Sequence, residues 1–150
     1  MKDGKMHIHT IQSYLVIDTE KFYQKIVADF GISHFYSFQT DSEKQVPFLE
    51  DSCSNILFEY SGNNMNSFVI GNSGKLQSLE LKKNCDYFGI RFQPGANPFF
   101  ENQEVKDFVG QRIDLRNFDV LKNLSEKMTE QQTFTTRMCT FMEEYRNWLK

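Results

Sequence analysis

His7 and His9 flank Ile8 and would put two imidazoles on one face of an extended segment. Such a pair can hold a divalent metal when a carboxylate and a further histidine complete the set, as in β-barrel sites of the cupin type. The rest of that set is missing: His34 is the remaining one of the 3 histidines, and no Gly-rich, Glu-bearing continuation follows His9. No metal site and no cofactor are expected. Cys53, Cys85 and Cys139 are widely spaced and odd in number, so they form neither a CxxC pair nor a disulfide framework and read as inert thiols.

Catalytic signals are equally sparse. The chain has no GxSxG elbow, no P-loop and no cysteine with a histidine close to it in sequence. Glu143 and Glu144 are neighbours on a helical segment, where adjacent side chains diverge by about 100° per residue, so they form a solvated face instead of an acid/base pair. A non-enzymatic role is expected. Arg91 is the cation best placed for recognition, because its strand alternation sets it opposite Phe88 and Phe92. There it can pair with a carboxylate from a helix or hold an acidic ligand.

Three zones position these residues. In the first, Asp18 or Thr19 can cap a helix in which Phe22, Ile26 and Phe30 recur at i, i+4 and i+8, with Gly31 as the stop. The second zone, residues 34–93, reads as antiparallel strands in a meander. Ile56, Phe58 and Tyr60 share a face, as do Phe68 and Ile70, Leu79 and Leu81, and Phe88, Ile90 and Phe92. Ser61-Gly62-Asn63-Asn64, Asn72-Ser73-Gly74 and Lys83-Asn84 supply turns that tolerate positive φ, so hairpins between consecutive strands are the economical reading.

The third zone is helical. Val105, Phe108 and Val109 have short helical spacing, and Asn117 can cap a helix with Phe118, Leu121, Leu124 and Met128. Thr133 caps a last helix whose stripe runs through Phe134, Met138, Phe141, Met142, Tyr145, Trp148 and Leu149. Met138, Phe141, Tyr145 and Trp148 suit a helix-to-helix interface, which makes a homodimer one reading and packing on the domain's own strands the other.

Composition bounds the rest. With 17 Lys+Arg against 20 Asp+Glu, the net charge is −3, and the mixed signs offer no basic stripe that could displace counterions from DNA. The 15 Phe in 150 residues are enough to fill a core. No apolar run approaches the ~20 residues of a membrane span and Met1 to His9 lack a signal-peptide core, so a single cytoplasmic domain over residues 1–150 is expected.

Two stretches carry a resemblance: Val46-Pro47-Phe48-Leu49-Glu50-Asp51-Ser52-Cys53-Ser54-Asn55-Ile56-Leu57-Phe58 and Phe88-Gly89-Ile90-Arg91-Phe92-Gln93-Pro94-Gly95-Ala96. Together with Asp107 to Leu115, they are similar in order and separation to the N-terminal sensor domain of a subset of AraC-type transcription regulators. That family has "P-x-x-P-D-G-C-x-D-I-x-F" in the first strand and "G-x-R-F-x-P-G-A" in the second. This chain departs from it at Glu50-Asp51-Ser52 and Asn55.

The resemblance implies an α+β fold: a cupin-like β-barrel with the N-terminal helix and two or three C-terminal helices. It implies a role in effector sensing and dimerisation, with DNA contacted only through helix-turn-helix motifs that these residues do not contain. A free-standing cupin-like binding protein or small cupin enzyme is the alternative. In such a barrel Phe58, Tyr60, Phe68, Ile70, Phe88, Ile90 and Phe92, with Arg91, would line a small-molecule pocket or simply fill the interior.

Overall fold

A computed structural model describes residues 20–27, 30–49, 55–70, 76–93, 112–114 and 119–149. Among the described residues, eight strands precede two helices. The strands are β1 (Glu20–Ile26), β2 (Ile32–Gln39), β3 (Lys44–Leu49), β4 (Asn55–Ser61), β5 (Asn64–Ile70), β6 (Leu76–Leu81), β7 (Asp86–Phe92) and β8 (Arg112–Asp114). The helices are α1 (Asp119–Thr129) and α2 (Phe134–Leu149). The architecture is α+β.

The first segment overturns one expectation. Residues 20–26 form an antiparallel strand against β2, not a helix. The spacing of Phe22, Ile26 and Phe30 is even, and so repeats as well on the period of 2 of a strand as on the 3.6 of a helix. Pairing with β2 decides between them: Gln24 faces Tyr36, Lys25 faces Phe35 and Ile26 faces His34 across the ladder. Gly31 is thus the turn residue of a hairpin and not a helix stop. Phe30 and Gly31 both take positive φ, 54° and 81°.

A second correction concerns strand order. Six strands hydrogen-bond in the order β1-β2-β7-β4-β5-β8, while β3 and β6 pair with each other as a separate ribbon. Consecutive hairpins do account for β1–β2 and β4–β5. At β4–β5, Ser61 opposes Asn64 across a tight turn in which Gly62 has φ of 60°. Elsewhere pairing is nested, with β4–β5 inside β3–β6 inside β2–β7, so the meander does not hold. Lys83-Asn84 does turn the chain, with Asn84 at φ 56°, but it carries it from one sheet to the other. The hydrogen-bond ladders of the described strands do not close into a barrel.

Both faces of the large sheet are buried. On one, Phe35, Ile56, Phe58, Tyr60, Val69, Phe88, Ile90 and Phe92 pack against Leu124 and Met128 of α1 and Phe141, Met142 and Tyr145 of α2. Each fully buried aromatic of this kind stabilises by about 1.5–3 kcal/mol, so this layer is the main source of stability. On the opposite face Tyr36, Phe38, Leu57 and Tyr87 gather Leu81 and Cys85 from the end of β6 and the turn after it.

The last helix begins where its cap is expected. Thr133 Oγ1 accepts the Thr136 backbone N–H at 3.1 Å, satisfying a donor of the first turn. The segments expected around Val105 and Asn117, the turn at Asn72-Ser73-Gly74, and the N-terminal His7 and His9 lie outside the described residues.

Candidate functional site

The strand register aligns side chains across the sheet in rows. On the face away from the helices, His34 of β2, Arg91 of β7 and Asn55 of β4 stand directly opposite one another and make one row. One step along, Tyr36, Gly89, Leu57 and Phe68 make the next. A third contains Phe38, Tyr87, Glu59 and Asn66.

The first row is polar yet buried: His34 is 5%, Asn55 7% and Arg91 2% exposed. Charged groups seldom sit so deep without a chemical reason. His34 responds to this setting: burial, and secondarily the Arg91 guanidinium beside it, pull its pKa from 6.5 down to about 4, so the ring is neutral at physiological pH. Its Nδ1 lies 3.0 Å from Ser33 Oγ, while its buried Nε2 has no hydrogen-bond partner among the described residues.

Gly89 makes the second row possible. A Cβ at that position would fall 2.2 Å from Tyr36 Cζ, so only a glycine lets the Tyr36 ring lie over the β7 backbone. Crossing there, Tyr36 donates from its hydroxyl to Asn55 Oδ1 at 3.1 Å, tying the first two rows together. The ring also stacks near Phe22 and Phe38, at centroid distances of 6.4 Å for each.

The third row is closed on itself. Glu59, 2% exposed, accepts from the Tyr87 hydroxyl at 2.7 Å and pairs with Lys82 Nζ at 3.3 Å, and Asn66 Nδ2 reaches it at 3.4 Å. Tyr87 in turn accepts from the Lys82 backbone N–H at 2.9 Å. Burial first, and its bond to the Glu59 carboxylate second, push the Tyr87 phenol pKa well up, so it acts as a fixed donor.

The helix face handles polarity differently. Arg137 of α2, 5% exposed, meets Asp86 Oδ2 at 2.7 Å, donates from Nε to the Gln131 carbonyl at 3.2 Å, and lies 3.6 Å from the centroid of the Tyr60 ring. Tyr60 itself donates to the Met128 carbonyl at 2.8 Å. Burial raises its pKa to about 12 against the opposing pull of Arg137. A strand-to-helix ion pair thus exists on this face, with the arginine, Arg137, on α2 and the carboxylate, Asp86, on β7.

The expected pocket residues thus divide. Phe58, Tyr60, Phe88, Ile90 and Phe92 sit on the helix face inside the packed core, while Arg91 and the half-buried Phe68 belong to the opposite face. Ile70 lies in β5, but its side chain is outside the described residues. Of the interface residues, Phe141 and Tyr145 are 0% and 1% exposed against the chain's own sheet, Met138 is partly buried there, and the Trp148 side chain is outside the described residues. What α2 turns outward is polar: Thr135, Thr136, Cys139, Glu143, Arg146 and Asn147.

His34 was not foreseen as a site residue, nor was the pairing of Tyr36 with Asn55. The signal available was alternation, since His34 and Tyr36 occupy the same face two residues apart. A cleft of about 490 Å³ opens between α2 and the first hairpin, lined by Val27, Phe35, Met138, Met142 and the polar Glu143 and Arg146. Among the described residues no group of three His, Cys, Asp or Glu could hold a metal ion, and no helix is long and apolar enough to cross a membrane.

The family model of a domain of unknown function, DUF6597, matches residues 24–114, from β1 to the end of β8, and the chain belongs to that family. No curated protein and no solved structure matches the chain.

Proposed function

We propose that the chain is the effector-sensing and dimerisation domain of an AraC-type transcription regulator and is not itself an enzyme. The observation that carries this reading is the buried row of His34, Arg91 and Asn55, a recognition-grade set of donors and acceptors on a face already shaped by Tyr36 and Gly89. The nesting of β4–β5 within β3–β6 within β2–β7 adds support, because it is the pairing of a double-sheet jelly roll, the topology that cupins share. In that frame the face carrying Arg91 is the barrel interior, and the aromatic face is its outer surface, sealed by α1 and α2. Acting on DNA through a further part of the regulator implies the cytoplasm.

Homodimerisation belongs to the same proposal. With Phe141 and Tyr145 spent on the chain's own sheet, the contact of α2 falls to outward residues such as Cys139, Glu143 and Arg146. Light scattering should give a dimer weakened by Arg146→Glu, and a monomer at high concentration overturns this part.

The sensing role is tested by a thermal-shift screen of small metabolites. A ligand at 100 times its Kd that binds only the folded chain adds about 2.7 kcal/mol of stability, an easily read rise in Tm. A flat screen removes the sensing role. Reading the native gene past codon 150 tests the regulator assignment: two helix-turn-helix patterns support it, and a stop codon leaves a free-standing cupin-like binder.

A further inference from the structure

We infer that the chain pairs with a second copy of itself by strand addition along β1, about a two-fold axis through Gln24, so that the two large sheets become one. The inference rests on the homodimer reading and sets the centre of the contact on the sheet edge, with α2 beside it.

β1 is an end strand of the large sheet and, among the described residues, is paired on one side only. Such an edge presents a row of backbone donors and acceptors, which monomeric proteins blunt with charge or cover with another element. Here apolar side chains stand exposed instead. Tyr23, Ile26 and Phe30, 56%, 68% and 46% exposed, are the large apolar side chains left open among the described residues, and all three belong to the first hairpin. The edge is also held in shape. Tyr23 meets Phe134 of α2 edge-to-face at 4.7 Å, Phe22 stacks near Tyr36, and the Phe30 carbonyl accepts from the Tyr145 hydroxyl at 2.7 Å. A rigid edge loses little freedom when a second strand joins it.

Backbone and side chains together select the register. The Val27 N–H donates to the Ser33 carbonyl at 3.3 Å, so Ile26 and Gln24, which alternate with it, turn their own N–H and C=O outward from β2. Strands related by a two-fold axis run antiparallel, and each side chain then faces one on the same side of the joined sheet. Centred on Gln24, the pairing joins Gln24 to the partner's Gln24 and Ile26 to the partner's Phe22, and sets Tyr23 opposite the partner's Lys25. The Ile26 contact is apolar and lies on the face of Tyr36. The Tyr23 contact lays a cation beside an aromatic ring on the face of α2. Moving the axis to Lys25 opposes two like charges, and moving it to Tyr23 carries Ile26 past Phe22 to Glu20, beyond the register shift between Glu20 and Tyr23. Charge and pattern thus agree on one register. Cys139, Glu143 and Arg146 of α2 line the cleft beside this edge together with Val27, so the outward residues of the helix and the strand form one surface.

The test uses the full chain. Light scattering over a concentration series should give a dimer. Gln24→Pro deletes the outward N–H at the axis, a change an edge position tolerates, and should raise the dimer Kd by about tenfold or more, as should Ile26→Lys. Cysteine pairs read the register. Oxidising a mixture of Tyr23→Cys and Lys25→Cys chains should link position 23 of one to position 25 of the other, because residues opposed there lie about 4.5 Å apart between Cα atoms, within disulfide reach. Mass spectrometry identifies the linked peptides. Either variant linked to its own kind in place of the mixed pair, or no link at all, overturns the inference. So does a dimer that survives both Gln24→Pro and Ile26→Lys; if Arg146→Glu breaks that dimer, the homodimer reading stands on α2 alone. A monomer at high concentration overturns both, and slow hydrogen exchange at Gln24 and Ile26 in that monomer would show the chain covering the edge itself.

Discussion

The two faces of the large sheet are buried to the same degree by opposite means. The helix face is closed by aromatic packing, with Phe88 in ring contact with Phe35, Phe58 and Phe134 at centroid distances of 5.8, 6.3 and 5.5 Å. Arg137 pairs there with Asp86 and Tyr60 donates to the Met128 carbonyl, while the buried Ser67 Oγ has no hydrogen-bond partner among the described residues. The other face keeps His34, Arg91, Asn55 and Glu59 inside, each below a tenth exposed. The difference lies in what is buried: one face is closed by aromatic packing, and the other carries polar groups among its rings, with Glu59 held by Tyr87 and Lys82 and Asn55 by Tyr36.

The sharpest way to break the comparison is to hollow the helix face. Phe88→Ala removes a fully buried ring, and a substitution of this kind costs about 3–5 kcal/mol. Urea denaturation should show most of the stability of the domain gone. A loss below 1 kcal/mol would mean that the aromatic layer is not the structural face.

On the polar face the largest effect should come from pH. The folded pKa of His34 lies near 4 against 6.5 in the unfolded chain, so the group favours folding fully above 6.5, where both states leave it neutral. Between 6.5 and about 4 the unfolded chain binds a proton that the folded one refuses, and stability falls with pH. The shift corresponds to about 3 kcal/mol across that window. Other groups titrate there too, so the quantity to measure is the difference between wild type and His34→Gln. Stability curves that run parallel from pH 7 to 4 would show that His34 does not carry the effect.

How far these faces could be read from sequence depends on the residue. Alternation in β4 and β7 correctly put Phe58 with Tyr60 and Phe88 with Ile90 and Phe92, and it set Arg91 opposite to them. It could not say which side was the interior, because Tyr36, Phe38, Leu57 and Tyr87 give the second face large apolar side chains too. Strand partners were illegible for a different reason. Ile32 opposes Phe92, its partner 60 positions further along the chain, and no local pattern encodes so long a closure. Thr133 was legible since capping is local, whereas the Phe22, Ile26, Phe30 spacing suited both periods and only pairing with Tyr36 and His34 resolved it.

Gly89 sharpens the comparison within the polar face. Gly89→Ala drives a methyl into the Tyr36 ring, which must tilt away and release Asn55, at a cost of about 1–3 kcal/mol. If the crowding is the cause, the same substitution in a Tyr36→Ala background costs little, and a double-mutant cycle reads the coupling. Equal costs in the two backgrounds would trace the loss to the β7 backbone instead. Because Asn55 neighbours Arg91, Gly89→Ala should also weaken any ligand held in the first row.

Thr133→Ala tests whether the faces are separable. The substitution deletes the acceptor for the Thr136 N–H, worth about 1 kcal/mol at an exposed cap, and loosens the first turn of α2. That turn carries Arg137, whose backbone N–H donates to the Thr133 carbonyl at 3.0 Å and whose guanidinium reaches Asp86 of β7. Asp86 and Tyr87 are consecutive, so the clamp on the helix face and the Glu59 network on the polar face meet in one strand. If β7 holds its two faces rigidly apart, the variant loses its small increment of stability and binds ligand as wild type does. A loss of affinity beyond a few fold would show instead that α2 and the polar row are coupled through β7, the route by which an occupied site could move the helices.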